Sequence, residues 1–516
     1  MTSPPSESAL LADARRRVLA LQTSLALSEG SPPRLVETHI SWVLLGAAHA
    51  WKLKKPVRLP FLDFTTLEAR RHWCEEELRL NRRLAPALYL DVVEVRDEGG
   101  PHIGGEGDLV DVAVRMHRFP DGALWSEQVA AGTLTTRHVD KLARRLAAFH
   151  RDAEVAPSGS EFGSAAAHVR ITRNLIGSLD TLQPGEAWPG LRRWLEASLP
   201  ALSPAWDRRR SEGRVRECHG DLHLANVVQL GDESTAFDAI EFDEELRWID
   251  VFDDVAFLVM DLLAHGHGDL AFRFLDGWLE ASGDHDGVST LRFYLVRRAL
   301  VRWLVRAMLP GASRAGPPDY LALAKRLAEG ADPRLAITHG LPGSGKSFVS
   351  QVMLESAGAV RLRSDVERKR LFGLAAHQSS HGQVSGGIYD AGTTARTYGR
   401  LLDAARAGLS AGWPVIVDAA FLRNDERMQF AALAESMSAP FAIVECRAPL
   451  SLLRQRVAHR QASGGDASEA DLAVLERLQA VDEPLSEQES SHALVADAAS
   501  GATSPVVLAA CWLAQR

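Results

Sequence analysis

Cysteine is scarce in this chain, which has four cysteines among 516 residues. They are scattered and show no zinc-binding spacing; they are Cys74, Cys218, Cys446 and Cys511. A disulfide framework or a structural zinc site uses cysteines at short, regular spacings. The sequence therefore predicts free thiols in a reducing compartment.

Long apolar runs are also missing. The best candidate, Val255–Met260, is closed at its two ends by Asp254 and Asp261, and it is far too short to cross a membrane. The first eight residues, Met1–Ser8, lack the basic and apolar regions of a signal peptide. We therefore expect a cytoplasmic protein that has no membrane partner.

An excess of positive charge is the third absence. The chain has 58 Lys and Arg against 67 Asp and Glu, a formal net charge of −9. This balance argues against a dedicated non-specific nucleic-acid binder, although it leaves a local basic groove open. The length predicts about two to four domains, and 46% hydrophobic residues are enough for well-formed cores.

The most informative stretch follows a short apolar segment, Leu335–His339, and precedes a segment with helical spacing, Phe348–Glu355. Its residues fit the pattern G-x-x-x-x-G-K-[ST] and are Gly340, Leu341, Pro342, Gly343, Ser344, Gly345, Lys346 and Ser347. In a strand–loop–helix context this pattern is a P-loop, or Walker A motif. Its backbone N–H groups and the helix N-terminus surround phosphates. We expect Lys346 to bind the β- and γ-phosphates of ATP, and Ser347 to hold Mg²⁺.

Further candidate residues follow the P-loop. Asp418 ends an apolar strand, as a Walker B carboxylate does, so it is a candidate Mg²⁺ ligand; the alternative is a helix cap. Asp365 follows the second strand and is a candidate general base, or else the N-cap of a basic helix. Arg368 lies one helical turn later, where it could hold an acceptor phosphate or the transferring group.

A predicted helix after Cys446 carries arginines four residues apart. Arg456 and Arg460 share one helix face. Arginines on a lid helix neutralise charge on a transferring phosphoryl group, whereas a solvated basic face is the alternative.

These residues carry a resemblance over residues 334–516. The segment resembles the small P-loop kinases that phosphorylate hydroxyl groups, which include gluconate kinases, zeta-toxin-type kinases and the kinase domain of polynucleotide kinases. Asp365-x-x-Arg368 is similar to the Asp-x-x-Arg of polynucleotide kinases, and Arg456–Arg460 resembles the lid motif of the group. The resemblance implies a P-loop NTPase fold with a parallel sheet, and Asp365 as the catalytic base.

The second informative stretch is Cys218–Asn226. Asp221 and Asn226 are five residues apart, the spacing of the catalytic loop of protein-kinase-like enzymes. In that chemistry the aspartate orients or deprotonates the acceptor hydroxyl and the asparagine holds Mg²⁺. A strand that ends in a carboxylate is expected beyond it, and Glu241 is the candidate metal ligand there, with Asp238 and Asp243 as alternatives.

This stretch resembles the aminoglycoside phosphotransferase family over about residues 30–325. The resemblance places a phosphate-binding lysine in Ala50–Pro56, where Lys52 is preferred and Lys54 is close behind. A glutamate among Glu75, Glu76 and Glu77 would be its ion-pair partner. The chain departs from the family in having Glu241 where the family usually has aspartate, and in having a single glycine in Leu44–Ala48.

The predicted architecture has two domains. A helical extension at residues 1–30 precedes an α+β, protein-kinase-like (aminoglycoside phosphotransferase-like) domain at 31–325. A linker at 326–333 leads to an α/β P-loop domain at 334–516. Within the first domain, Val36–Leu45 and Ala48–Leu59 are predicted as two strands around a turn at Gly46, and Thr65–Leu84 as a helix.

The leading hypothesis is an ATP- and Mg²⁺-dependent phosphotransferase that acts on a hydroxyl of a small molecule such as a sugar, an aminoglycoside or a nucleoside. One alternative is an ATP-binding regulatory protein with a degenerate kinase-like domain. Another is a 5′-hydroxyl polynucleotide kinase, which requires a basic groove leading to Asp365. The sequence names neither the acceptor nor the oligomeric state.

Overall fold

The computed structural model describes residues 7–59, 62–308, 317–376, 378, 390–463, 467–497 and 503–515. The N-terminal part alternates short strands and helices: α1 Glu7–Glu29, β1 Arg34–Glu37, β2 Ser41–Leu45, β3 His49–Lys54, β4 Arg58–Leu59, β5 Leu62–Asp63, α2 Leu67–Arg82, β6 Tyr89–Asp97, β7 Pro101–Ile103, β8 Asp108–His117 and α3 Trp125–Ala131.

The middle of the chain is mainly helical. Its elements are α4 Thr136–Asp152, α5 Ala165–Leu182, α6 Trp188–Ser211, β9 Val215–Glu217, β10 Val227–Leu230, β11 Glu233–Ala236, α7 Glu244–Arg247, β12 Trp248–Asp250, α8 Val251–Ala264, α9 Gly268–Ser282, α10 Val288–Met308 and α11 Tyr320–Glu329. Short 3₁₀ turns lie at Leu224–Asn226 and His285–Gly287.

The C-terminal part alternates strands and helices. Its elements are β13 Arg334–His339, α12 Lys346–Ala357, β14 Val360–Arg363, α13 Ser364–Arg370, α14 Ala391–Ser410, β15 Pro414–Asp418, α15 Asn424–Ser436, β16 Phe441–Arg447, α16 Leu450–Ser463, α17 Leu472–Gln479, α18 Glu487–Ser490, β17 Ala493–Asp497 and α19 Pro505–Ala514.

The chain divides into two compact units. The first unit comprises Met1–His138, Asp152–Gly163 and Gly213–Asp254, and the second comprises Val139–Arg151, Ser164–Glu212 and Val255–Arg516. Helices α9, α10 and α11 therefore belong to the same compact unit as the P-loop. The boundary near residue 330 and the linker at 326–333 stay predictions; the last turn of α11 lies within that linker.

The first unit is organised around a six-stranded antiparallel sheet with the strand order β1-β2-β3-β8-β6-β7. Successive side chains of a strand point to opposite faces. Trp51 and Leu53 of β3 accordingly pack in one apolar cluster with Val18 of α1. Lys52 and Lys54 of the same strand point to the other face, which packs against α2.

Two strand predictions in this sheet are wrong at their ends. Val36–Leu45 is not one strand, because the Thr38 N–H donates to the Ser41 carbonyl at 2.9 Å and closes a turn between β1 and β2. The strand predicted over Ala48–Leu59 ends at Lys54. Pro56 has no N–H to donate to a neighbouring strand, so β4 is separate and pairs with β5.

The second unit contains a five-stranded parallel sheet with the strand order β14-β15-β13-β16-β17. Leu335, Ile337, Val415, Val417 and Ile443 from its three central strands are fully buried in one cluster. Parallel strands covered by helices on both faces have this continuous apolar character. The prediction of a P-loop fold with a parallel sheet is confirmed.

The carboxyl ends of the parallel strands lie at one edge of this sheet. β13 leads into the P-loop, β14 ends at Arg363, and β15 ends at Asp418 opposite Arg363 in register. Ligands of open parallel sheets bind at this edge. None of the helices among the described residues combines the length and apolar character needed to span a bilayer.

Candidate functional site

The P-loop connects β13 to α12 through a turn that requires glycine. Gly340 has φ +144°, and a Cβ there would lie 2.5 Å from the Cys446 carbonyl oxygen. Gly345 has φ +100° and is the N-cap of α12. L-residues with side chains rarely adopt these angles. The turn thus brings the N-terminal end of α12, with its partial positive charge, directly after the strand.

Lys346 is held against the backbone of its own loop. Its Nζ donates to the Gly340 carbonyl at 2.8 Å and to the Leu341 carbonyl at 2.9 Å. Burial lowers the pKa of the Lys346 ammonium, and the Asp418 and Asp365 carboxylates oppose that change. The loop therefore carries a fixed positive charge that faces two of the predicted acidic residues.

Asp418 is buried at the end of β15, with 5% of its surface exposed. Its Oδ2 atom is buried, accepts no hydrogen bond from the residues that the structure describes, and lies 3.5 Å from the Arg363 Nε. A buried carboxylate oxygen of this kind fits a hard divalent cation, which prefers oxygen ligands. Ser347 lines the same cavity as Asp418, so both residues fit a Mg²⁺ ion.

One cavity of about 1100 Å³ brings the predicted C-terminal site residues together. Its walls include the predicted residues Pro342, Gly343, Gly345, Lys346, Ser347, Asp365, Arg368, Asp418, Arg456 and Arg460. Gly340, Leu341 and Ser344 belong to the loop but are not among the residues that line the cavity. Predicted residues from four parts of the sequence thus meet in this cavity.

The predicted arginines reach this cavity by different contacts. Arg368 is buried, and its Nη1 donates to the Thr394 Oγ1 at 3.0 Å. Arg456 is exposed, and its Nη1 donates to the Gly343 carbonyl at 3.1 Å, which sets it against the P-loop. Arg460 Nη2 donates to the Ala470 carbonyl at 3.1 Å.

Sequence reasoning missed several polar residues of the cavity wall. They are Arg363, Thr394, Tyr398, Arg423, Asp425, Glu426, Gln429, His459 and Arg477. Burial raises the pKa of Glu426, and hydrogen bonds from the Arg423 backbone and the Tyr398 side chain oppose that change. Most of these residues lie on α14, α15 and α17, whose local sequences carry no motif. Arg363 alone had a signal, because it directly precedes Ser364-Asp365.

The first unit holds a second cluster of charges, built on β3 and α2. Lys52 Nζ lies 2.9 Å from Glu77 Oε1, and Lys54 Nζ lies 2.8 Å from Glu77 Oε2. Of the three glutamates considered from the sequence, Glu77 is therefore the partner, and it serves both lysines. Burial alone would raise the pKa of Glu77, but the two ammonium groups lower it to about 2.

Two further carboxylates complete this cluster. Asp238 pairs with Lys52 at 2.5 Å, whereas Glu241 pairs with Lys54. The side chain of Asp238 is 42% exposed and that of Glu241 is 4% exposed. Asp238 also has φ +63°, an angle that few residues other than glycine adopt. Glu241, the metal ligand predicted from the sequence, is thus buried in an ion pair with Lys54. Asp238 is the carboxylate of this cluster that is more exposed to solvent.

The predicted catalytic loop lies in the first unit. Asn226 Nδ2 donates to the Asp221 carbonyl at 2.9 Å and to Asp221 Oδ2 at 3.0 Å, so the two predicted residues are in contact. His223 Nε2 lies 3.3 Å from the same carboxylate. The His219 and Gly220 N–H groups donate to Asp254 at 3.0 and 2.9 Å and anchor the start of the loop.

Comparisons with known proteins agree with the P-loop geometry. A family model described as an AAA domain matches residues 335–485, which include the P-loop, Asp365, Asp418 and the arginines of α16. Together with the strand–loop–helix turn and the parallel sheet, this match defines the C-terminal part as a P-loop domain.

Two mycobacterial proteins match most of the chain. Uncharacterized protein Rv2004c of Mycobacterium tuberculosis and Uncharacterized protein Mb2027c of Mycobacterium bovis are each 30% identical over 455 residues. Each match covers 86% of this chain and 89% of the relative. The chain therefore belongs to the same protein family as these two proteins.

Solved structures resemble about a third of the chain. A putative kinase from Chloroflexus aurantiacus is 20% identical with a TM-score of 0.29, and covers 35% of this chain and 96% of its own. A gluconokinase from Sinorhizobium meliloti is 21% identical with a TM-score of 0.24, and covers 35% and 92%.

Proposed function

We propose that the protein is an ATP-dependent phosphotransferase that transfers the γ-phosphoryl group to a hydroxyl of a small molecule, with the chemistry carried out in the P-loop cavity. The observation that carries this proposal is the meeting of Lys346, Asp418 and Asp365 in one cavity of about 1100 Å³. That volume is larger than most single-ligand pockets, and it suits a nucleotide and an acceptor bound together. The four free cysteines agree with a reducing, cytoplasmic location.

The reaction needs an acceptor oxygen in line with the phosphorus. Asp365 takes the proton from the acceptor hydroxyl as its oxygen forms the new bond to phosphorus, and the bond to the oxygen of ADP breaks. ADP leaves with the electron pair of that bond. Lys346 and the arginines of α16 stabilise the negative charge on the transferring group. Arg368 lies one turn from Asp365 and orients the acceptor.

When bound, Mg²⁺ would neutralise negative charge on the phosphates of ATP. Ser347 and Asp418 are the residues that would hold it. The Asp418 Oδ2 atom supports this assignment. It is buried beside the Arg363 guanidinium but accepts no hydrogen bond within the described part of the chain, and such an oxygen is costly to bury unless a ligand uses it.

ADP release, measured against a panel of sugars, aminoglycosides, nucleosides and 5′-hydroxyl oligonucleotides, tests the proposal. We expect turnover with a small-molecule acceptor. Turnover with oligonucleotides alone would favour the polynucleotide kinase. Tight ATP binding without acceptor-dependent ADP release would overturn the phosphotransferase and favour the regulatory protein.

A second phosphotransferase site of the aminoglycoside phosphotransferase type is proposed in the first unit. The pair Lys52–Glu77 and the contact between Asp221 and Asn226 support it. In this proposal Asp221 orients the acceptor hydroxyl, and Asn226 holds Mg²⁺. Asp238 is better placed than Glu241 as the second metal ligand, because its carboxylate is the more exposed of the two.

A further inference from the structure

Helix α13, which carries Asp365 and Arg368, is held at both ends by one residue of α9. Glu280 Oε1 accepts from Arg363 Nη1 at 2.9 Å, directly before α13 begins. The backbone carbonyl of Glu280 accepts from Arg370 Nη2 at 2.7 Å, where α13 ends. A helix of seven residues has little stability of its own, so such contacts decide where it lies.

The surrounding geometry shows that this contact is close and specific. Gly283, with φ +73°, is the C-cap of α9, and a Cβ there would lie 2.4 Å from Arg370 Nε. Arg361 Nη2, two residues before Arg363, lies 3.2 Å from the same Glu280 carboxylate and 2.6 Å from Asp276. The side chains of Glu280 and Arg363 are only 16% and 12% exposed, so solvent screens the pair weakly.

Arg363 also connects this contact to the nucleotide side of the cavity. Its Nε lies 3.5 Å from Asp418 Oδ2 while its Nη1 is bound to Glu280. The guanidinium is planar, so fixing one side of it fixes the other. Glu280 therefore helps to fix the position of the Arg363 guanidinium beside the Asp418 carboxylate.

We propose that Glu280 is a positioning residue whose carboxylate and backbone carbonyl together clamp α13 and thereby place Asp365 and Arg368 in the cavity. This inference rests on the proposed function, since it assumes that Asp365 and Arg368 act on the acceptor. In this proposal the acceptor site depends on α9 of the preceding helical segment as well as on the P-loop domain, because α9 holds α13 in place.

Glu355→Gln is a matched control. It tests whether weakening any contact between α9 and the P-loop domain has the same effect as Glu280→Gln. Glu355 of α12 pairs with Arg273 of α9 at 2.8 Å, and its side chain is 19% exposed. It resembles Glu280 in exposure and in bridging α9 to the P-loop domain. The hydrogen-bond donors to the Glu355 carboxylate, Arg273 and Gln351, lie on α9 and α12, so Glu355→Gln weakens the contact with α9 and leaves the bond between Glu280 and Arg363 in place.

Hydrogen exchange on the full chain without nucleotide tests the clamp directly. We expect Glu280→Gln to speed exchange of the amides of α13 about tenfold and to leave α12 unchanged. Glu280→Asp keeps the charge and restores at least part of the protection, and Glu355→Gln leaves α13 as in the wild type. Unchanged exchange in α13, or equal loss in Glu280→Gln and Glu355→Gln, would overturn the proposal.

Nucleotide binding and kinetics separate the clamp from the proposed function. Calorimetry with Mg²⁺ and a non-hydrolysable ATP analogue should show a smaller loss for Glu280→Gln than the loss in kcat/KM for the acceptor, because Glu280 reaches the nucleotide side only indirectly, through Arg363 and Arg361. No binding by the wild type would refute the nucleotide site and leave the exchange result standing. With an acceptor from the panel, Glu280→Gln should raise the KM of the acceptor or lower kcat by a larger factor than it raises the KM for ATP; a raised KM for ATP alone would contradict the assignment.

Discussion

The two candidate sites hold their lysines in opposite ways. Lys346 of the P-loop donates to two backbone carbonyls, and the nearby Asp418 has a carboxylate oxygen that accepts no hydrogen bond from any described residue. Lys52 and Lys54 of the first unit instead face three carboxylates, with Glu77 shared between them. The P-loop arrangement leaves the positive charge of Lys346 available to a ligand. In the first unit, the carboxylates of the cluster neutralise most of the charge of the two lysines.

The two sites therefore differ in the contacts that a nucleotide must replace. A triphosphate in the P-loop cavity replaces weak contacts between Lys346 and carbonyl oxygens with contacts to anionic phosphate oxygens. A triphosphate beside Lys52 must share that ammonium with Asp238 and Glu77. The carboxylates raise the pKa of Lys52 well above its ordinary value, although burial alone would lower it. We therefore expect the P-loop site to bind ATP more tightly.

The largest expected effect is on the stability of the first unit. Glu77→Gln removes the charge that two buried lysines share, and breaking a buried ion pair costs about 3–5 kcal/mol. Urea unfolding followed by tryptophan fluorescence measures this loss. The matched control is Glu75→Gln, an exposed glutamate on the same helix, which should change stability by less than about 0.5 kcal/mol. Equal losses of stability in Glu77→Gln and Glu75→Gln would show that the ion pairs of Glu77 do not stabilise the first unit.

The next effect separates the two nucleotide sites. Lys346→Ala should weaken binding of Mg²⁺–ATP by about 2–3 kcal/mol, or roughly 30- to 150-fold, because a charged contact to phosphate is lost. Calorimetry on the full chain measures this change, with Lys325→Ala on α11 as the exposed control. If tight Mg²⁺–ATP binding persisted in Lys346→Ala and were lost in Lys52→Ala, the first unit would hold the stronger nucleotide site.

A smaller effect distinguishes the carboxylates of the first unit. In a Lys346→Ala background, Asp238→Asn should weaken Mg²⁺-dependent nucleotide binding about tenfold, because the more open carboxylate is lost. Glu241→Gln should mainly lower the free energy of unfolding, because Glu241 is the buried partner of Lys54. Calorimetry measures the nucleotide affinity of both variants, and urea unfolding measures their stability. Weaker nucleotide binding in Glu241→Gln than in Asp238→Asn would make Glu241 the metal ligand.

The smallest effect is on the pH dependence of stability. Burial, together with the Arg297 guanidinium, lowers the pKa of His168 well below its ordinary value of 6.5. The unfolded histidine takes up a proton below about pH 6.5 and the folded one does not, so stability falls as the pH falls, by at most about 1.4 kcal/mol per pH unit.

His219 of the first unit provides the comparison for this slope. Burial also lowers the pKa of His219, but the Asp254 carboxylate opposes the change. Urea unfolding between pH 7.5 and 5 should therefore show a flatter slope for His168→Gln than for His219→Gln. A slope that neither variant changes would mean that other groups control the acid sensitivity.

The sequence predicted the second unit better than the first for a physical reason. Parallel strands buried on both faces are continuous apolar runs, so β13, β15 and β16 could be located, and the position of Asp418 at the end of β15 followed from the topology. The P-loop is a local motif with a fixed spacing. In the first unit, short antiparallel strands are divided by turns such as Thr38–Ser41, which hydropathy does not mark.

The unpredicted parts of the sites depend on contacts distant in sequence. Glu280 lies more than 80 residues before Arg363, and no local pattern links them. The choice between Asp238 and Glu241 depended on the exposure of each carboxylate, which the motif does not encode. The roles of Asp365, Arg368 and Asp221 stay predictions, although the structure places the first two in the cavity and the third beside Asn226.

The most direct measurement of the central claim compares Asp365→Asn with Asp221→Asn in acceptor-dependent ADP release. If the P-loop cavity performs the transfer, Asp365→Asn lowers kcat at least about 100-fold, and Asp221→Asn stays close to the wild type. Loss of turnover in Asp221→Asn with full activity in Asp365→Asn would contradict the account and assign the reaction to the first unit.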